Sequence, residues 1–157
     1  MLIGCIAAHL DESVRMICCM QVNNESGAIQ PLEEIVRLRD ARCPQAAIHV
    51  DGVQGFLRVP LDFRGLRIQS YAFSAHKIHG PKGIGGLIFH KDFRVSPLLY
   101  GGGQEEGLRS GTENTPGILG MGAAVRAYPQ GAPAEMMANK RLLWTLIQQR
   151  IPGACLN

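Results

Sequence analysis

Residues 73–82 read FSAHKIHGPK, and Lys77 in this stretch has more chemistry to offer than its neighbours. A lysine with a depressed pKa can form a Schiff base with an aldehyde. Pyridoxal 5'-phosphate (PLP) is such an aldehyde. Its ring nitrogen draws electrons only when protonated, so a carboxylate must sit beside it. Asp51 is the candidate carboxylate, Ser74 and His76 are candidate donors to the phosphate, and Gln54 to the ring hydroxyl. One cofactor thus accounts for five polar residues. Taken singly, each has an ordinary reading. A lysine in a turn is commonly a solvated charge, and an aspartate after a strand commonly caps a turn or a helix. His76 and His79 suggest a metal, but no third or fourth ligand is spaced to complete a site. GIGG at 83–86 matches a phosphate loop only weakly and reads better as a tight turn into a strand.

These residues need elements to carry them to one place. Residues 14–22, VRMICCMQV, form a continuous apolar run, the pattern of a strand buried on both faces of a parallel sheet. The turn cluster NNESG and Pro31 follow, then a helical pattern. It puts Leu32, Ile35, Val36 and Leu38 on one side and Glu33, Glu34, Arg37 and Arg39 on the other, with Pro44 closing it. Residues 47–50 (AIHV), 69–73 (QSYAF) and 84–89 (IGGLIF) read as three further strands, the last antiparallel after a Gly-Pro turn. Alternating strands and helices imply an α/β sheet. Asn23 and Asn24, then Asp51 and Gln54, then Ser74, His76 and Lys77 all follow strand carboxyl ends. In open α/β sheets that rim is where ligands bind.

The second half changes character. Residues 100–117 hold six glycines and no apolar period, which predicts a long functional loop. A small-residue, close-packed helix is expected over about 118–128, a linker over 129–133, and an amphipathic helix over 134–150 with Leu142, Leu143, Leu146 and Ile147 on its apolar side. The methionines at 16, 20, 121, 136 and 137 read as core filler.

Bulk properties narrow the class. The 157 residues suit about one domain. Hydrophobic residues make up 46% and charged residues 18%, which fits a folded globular chain and not a disordered one. The net charge of +3 is spread without a basic run, which argues against nucleic acid. No apolar stretch is long enough for a membrane span, and MLIGCIAAHLDES lacks the features of a signal peptide. Five cysteines, an odd number without a CxxC spacing, fit reduced thiols in a cytoplasmic protein.

HVDGVQ at 49–54, SAHKIHGPKGIGGL at 74–87 and GGGQEEGLRSGTENTPGILGMGAA at 101–124, with VNNESGAIQP at 22–31, together resemble the NifS/IscS-type cysteine desulfurases. These belong to the class V aminotransferase group of fold-type I PLP enzymes. The resemblance implies that Lys77 holds PLP and moves protons at the substrate α-carbon. It implies that Asp51 pairs with the ring nitrogen, that Gln54 touches the ring hydroxyl, and that Ser74 and His76 bind the phosphate. Asn24 would lie by the ring hydroxyl and substrate, and Thr112 would reach the phosphate of a neighbouring subunit in a homodimer. L-cysteine would be the substrate, giving L-alanine and a persulfide whose sulfur passes to an acceptor scaffold protein, as in iron-sulfur cluster assembly. A selenocysteine lyase, another related PLP lyase or aminotransferase, and a non-catalytic module share parts of the pattern.

The same resemblance sets an expectation about extent. Residues 1–128 would be a partial PLP-binding large domain, and 129–157 a linker, a helix and the start of a small domain. None of Cys5, Cys18, Cys19, Cys43 or Cys155 matches the family's sulfur-accepting cysteine. The chain is therefore expected to be the central piece of a desulfurase, inactive alone.

Overall fold

The structure is a computed structural model that describes residues 2–156. A helix, α1 (Leu2–His9), precedes the first strand, β1 (Met16–Met20). Helix α2 (Leu32–Arg42) leads to β2 (Ala47–Asp51). Then come β3 (Ser70–Ser74), a 3-10 turn (Ala75–Ile78) and β4 (Gly85–Phe89). A second 3-10 turn (Glu105–Gly107) interrupts the glycine-rich loop before α3 (Thr115–Ala127) and α4 (Ala132–Arg150).

The four strands form one sheet in the order β1-β2-β3-β4. The first three are parallel, with Met20 level with Asp51 and Asp51 level with Ala72. Their carboxyl ends therefore share one rim. β4 runs antiparallel to β3, as the Gly-Pro turn predicts, and Gly83 at φ +77° makes that reversal.

α2 forms because its apolar residues recur at helical spacing and its charges suit the helix dipole. Glu33 and Glu34 occupy the first turn, and Arg39 and Arg42 the last. Leu32, Ile35 and Val36 bury against Ile17, Ile48 and Val50 of the sheet. Ile35 and Val50 are fully buried, each worth about 1.5–3 kcal/mol of transfer free energy.

Four expectations are corrected. β1 is not buried on both faces: Ile17 is buried, whereas Met16 and Cys18 on the other face are exposed. Arg39 is buried, not on the solvent side. Nη1 donates to the Ala46 carbonyl at 3.0 Å and Nε donates to Asp40 Oδ1 at 2.6 Å. Leu142, Leu143 and Leu146 of α4 share a face, but that face is exposed and no residue of α4 is buried. Met16, Met136 and Met137 are likewise exposed, so they do not fill the core. Helix α1, which the sequence reading did not mark, packs on α2. No described helix is long and apolar enough to cross a membrane.

Candidate active site

Three segments leave the sheet at the carboxyl rim. The first is the turn after β1, organised by Asn23: its Oδ1 accepts from the Glu25 and Ser26 amides and from Ser26 Oγ at 2.9–3.0 Å. Asn24 sits exposed in that turn.

The second segment follows β2. Asp51 ends the strand half-buried, and its Oδ1 accepts from the Val53 amide at 2.9 Å. No described hydrogen bond occupies Oδ2, and no basic side chain among the described residues pairs with this carboxylate. The chain is then pinned back to the sheet, because the Gly52 amide donates to the Ala72 carbonyl at 2.8 Å. Gly52 must lack a side chain here, since a Cβ would fall 1.8 Å from the Tyr71 ring. Gln54 lies half-buried in the turn that follows.

The third segment follows β3. Ser74 is the last strand residue, and the 3-10 turn carries His76 and Lys77 outward between the buried anchors Ala75 and Ile78. Ser74 Oγ and His76 Nδ1 lie 2.7 Å apart. Lys77 is half-buried. The turn is closed by His79 in the left-handed region (φ 66°, ψ 16°), with its amide on the Ala75 carbonyl. Such a conformation costs a non-glycine residue about 1–3 kcal/mol, which the surrounding packing must offset. Helix α3 supplies that packing. Gly80 lets Ala124 approach, and Gly120 lets Pro81 approach; a Cβ at Gly120 would meet the Pro81 ring at 2.6 Å. The small-residue helix thus approaches the lysine turn closely at Gly80 and Gly120, but it is not close-packed along its length, since only Gly117 of α3 is buried.

Beneath the rim lies a buried polar strut. Tyr71 donates its hydroxyl to Gln21 Oε1 at 2.8 Å, and Gln21 Nε2 donates to the Val59 carbonyl at 3.0 Å. The Gln21 amide donates to the Asp51 carbonyl at 2.8 Å. Burial pushes the Tyr71 hydroxyl up to about 12, with the Asp51 charge adding to it. On the same face as Asp51, His49 Nδ1 lies 2.8 Å from Ser70 Oγ.

Asp51, Gln54, Ser74, His76 and Lys77 therefore stand on the two turns leaving neighbouring strands of one rim, and Asn24 on the turn leaving the next strand along. Thr112 is not among these contacts. It is exposed, in a cleft of about 580 Å³ that it lines with Gly85, Gly86, Arg109 and Asn114 over β4.

The sequence reading missed three residues of this region. Gln21 carried a signal, since a lone amide closing an apolar run needs a buried partner. Tyr71 and Arg58 carried none. Arg58 Nη1 donates to the Gln54 carbonyl at 3.2 Å, Nη2 donates to the Lys77 carbonyl, and Nε donates to the Tyr128 hydroxyl at 3.4 Å.

Residues 3–154 match the family described as aminotransferase class-V. The chain is similar to a cysteine desulfurase IscS of Glaesserella parasuis serovar 5 (strain SH0165), 40% identical over 141 residues, covering 86% of this chain and 34% of that protein. Among solved structures it is similar to a NifS-like protein, with a TM-score of 0.81 and 37% identity over 93% of this chain and 41% of the other. It is also similar to SspA in complex with cysteine, with a TM-score of 0.74 and 34% identity over 88% of this chain and 41% of the other. The chain spans about a third of the length of the curated relatives it matches.

Proposed function

The chain belongs to the aminotransferase class-V family, whose cysteine desulfurase members are PLP enzymes, and from that premise we propose that it forms the cofactor-holding part of a cysteine desulfurase. The observation that carries this reading is the pairing of two rim groups: a half-buried Lys77 on a braced turn, and an Asp51 carboxylate with one oxygen unengaged. A carboxylate in that state suits a cationic partner such as a protonated ring nitrogen. The donor set fits PLP in kind: a primary amine, a carboxylate, and a hydroxyl–imidazole pair suited to a phosphate.

Bound there, PLP would supply an electron sink that makes the bonds at an amino acid's α-carbon labile. Lys77 Nζ holds the cofactor and carries the proton to and from the α-carbon. Asp51 Oδ2 keeps the ring nitrogen protonated. Ser74 and His76 would bind the phosphate, Gln54 would donate to the ring hydroxyl, and Asn24 would border the same hydroxyl and the substrate. Thr112, exposed over β4, serves the phosphate of a second copy in a homodimer. Residues 1–128 form part of a cofactor-binding large domain, and 129–157 a linker, a helix and the start of a small domain. L-cysteine is the substrate, L-alanine the product, and a sulfur-acceptor protein the partner, in a reducing, cytoplasmic setting that keeps the cysteines as thiols.

None of the five cysteines suits the sulfur-accepting role. Cys43 is buried, and burial, with Cys18 beside it, pushes the Cys19 thiol up to about 11, away from the nucleophilic thiolate. Cys5, Cys18 and Cys155 are exposed but lie on α1, mid-strand in β1 and beyond α4, off the rim turns. The 157 residues given PLP and cysteine are expected to release no alanine. The test of the reading is cofactor uptake. The chain mixed with PLP should gain a visible absorption band, lost in Lys77→Ala with the far-ultraviolet circular dichroism unchanged. A colourless parent protein, or colour that survives Lys77→Ala, would point to a non-catalytic module instead.

A further inference from the structure

We propose that Arg58 is a positioning residue that locks the Lys77 turn to the Gln54 turn, so that both present their side chains to one ligand as a unit; this rests on the reading of Lys77 and Gln54 as cofactor-holding residues. Arg58 reaches three segments at once: the Gln54 carbonyl four residues back, the Lys77 carbonyl 19 residues on, and the Tyr128 hydroxyl 70 residues on. A guanidinium is suited to this because its donors are fixed in a planar fork. The other described hydrogen bonds hold each turn to itself, to the sheet or to the residues flanking its strands, as Gln21 Nε2 holds the Val59 carbonyl. The lysine turn is closed by Gly80 on Ala75 and by Ala75 on Ile84, and the Gln54 turn by Gly55 and Phe56 on Gly52. Beyond the strand ends, Arg58 is the side chain whose described hydrogen bonds reach both turns. Tyr128 extends the clasp, because its ring stacks on His79 with centroids 6.4 Å apart. The lysine turn is thus gripped at Lys77 by Arg58 and at His79 by the tyrosine that Arg58 also contacts.

Neither the acceptors nor the reach can be met by a lysine in the same way, since a single ammonium lacks the fork. Two measurements test the coupling. In the PLP-free chain, amide hydrogen exchange should rise roughly tenfold or more in residues 52–59 and 75–80 together in Arg58→Met. Exchange in 16–20 and 47–51 should stay unchanged, and Arg58→Lys should fall between parent and Arg58→Met. Unchanged exchange in both turns, or a rise in all four segments alike, would overturn the proposal. In the second arm, PLP is fixed to Lys77 by borohydride and the labelled peptide counted. Arg58→Met should need roughly tenfold more PLP for half-labelling, with partial recovery in Arg58→Lys; equal labelling of parent and Arg58→Met would also overturn the proposal. A parent chain that takes no label on Lys77 refutes the functional reading instead, while the exchange arm still decides whether Arg58 couples the turns.

Discussion

Replacing Tyr71 by Phe removes one oxygen and leaves the ring in place, so its effect isolates the strut under the rim. The hydroxyl donates to Gln21 Oε1 at 2.8 Å, and both side chains are buried, Tyr71 at 6% and Gln21 at 1% exposure. Without the hydroxyl, Gln21 Oε1 is a buried acceptor with no donor. That costs about 1–3 kcal/mol, more than the net value of an ordinary hydrogen bond. For a chain of this size it lowers the melting temperature by roughly 2–12 °C. The pH dependence gives a second, independent reading. Burial and Asp51 raise the Tyr71 pKa from its ordinary value of 10.0 to about 12. The fold favours the neutral hydroxyl, so above about pH 10 the unfolded chain loses a proton that the folded chain retains. This contribution is fully present below pH 10 and is lost as the pH rises through about 12. Urea unfolding followed by circular dichroism, repeated between pH 8 and 11, measures both effects. Tyr71→Phe should be less stable at pH 8, and its alkaline decline should be shallower than the parent's. A variant within about 0.5 kcal/mol of the parent, with the same alkaline slope, refutes the strut.

Two further substitutions test the packing that holds the site. Gly80→Ala puts a Cβ 2.9 Å from Ala75 Cβ, 3.0 Å from the Ala75 carbonyl oxygen and 3.3 Å from Ala124 Cβ, so the lysine turn itself must shift and α3 give by a few tenths of an ångström. A loss of about 1–3 kcal/mol is expected by chemical denaturation, together with weaker PLP uptake; an unchanged midpoint would show that the contact yields freely. Ile35→Ala removes a fully buried side chain where α2 meets the sheet, at an expected cost of about 2–5 kcal/mol, while PLP uptake by whatever chain stays folded should match the parent's.

What could be read in advance divides by the kind of contact that decides it. The parallel strands were legible because their apolar runs end in polar residues, and the antiparallel fourth because Gly-Pro and Gly83 leave little choice of turn. The rim constellation was legible for the same reason, since strand ends fix where the next residues start. Periodicity went wrong where it was asked about coverage. It says correctly that Leu142, Leu143 and Leu146 share a side of α4, but not that anything lies against it, and the first two are 59% and 60% exposed. It went wrong again at Arg39, because a long side chain can start on one side of a helix and place its charge on another. Arg58 it could not find at all, because two of its three partners are backbone. Arg58 binds the carbonyls of Gln54 and Lys77, and every residue in the chain has a carbonyl. No residue type marks the acceptor, so only the folded path of the chain picks out this arginine from the others. Candidate groups such as Lys77 and Asp51 are chosen by type and can be read. Arg58 is chosen by position, and it becomes visible only when the two turns are in place.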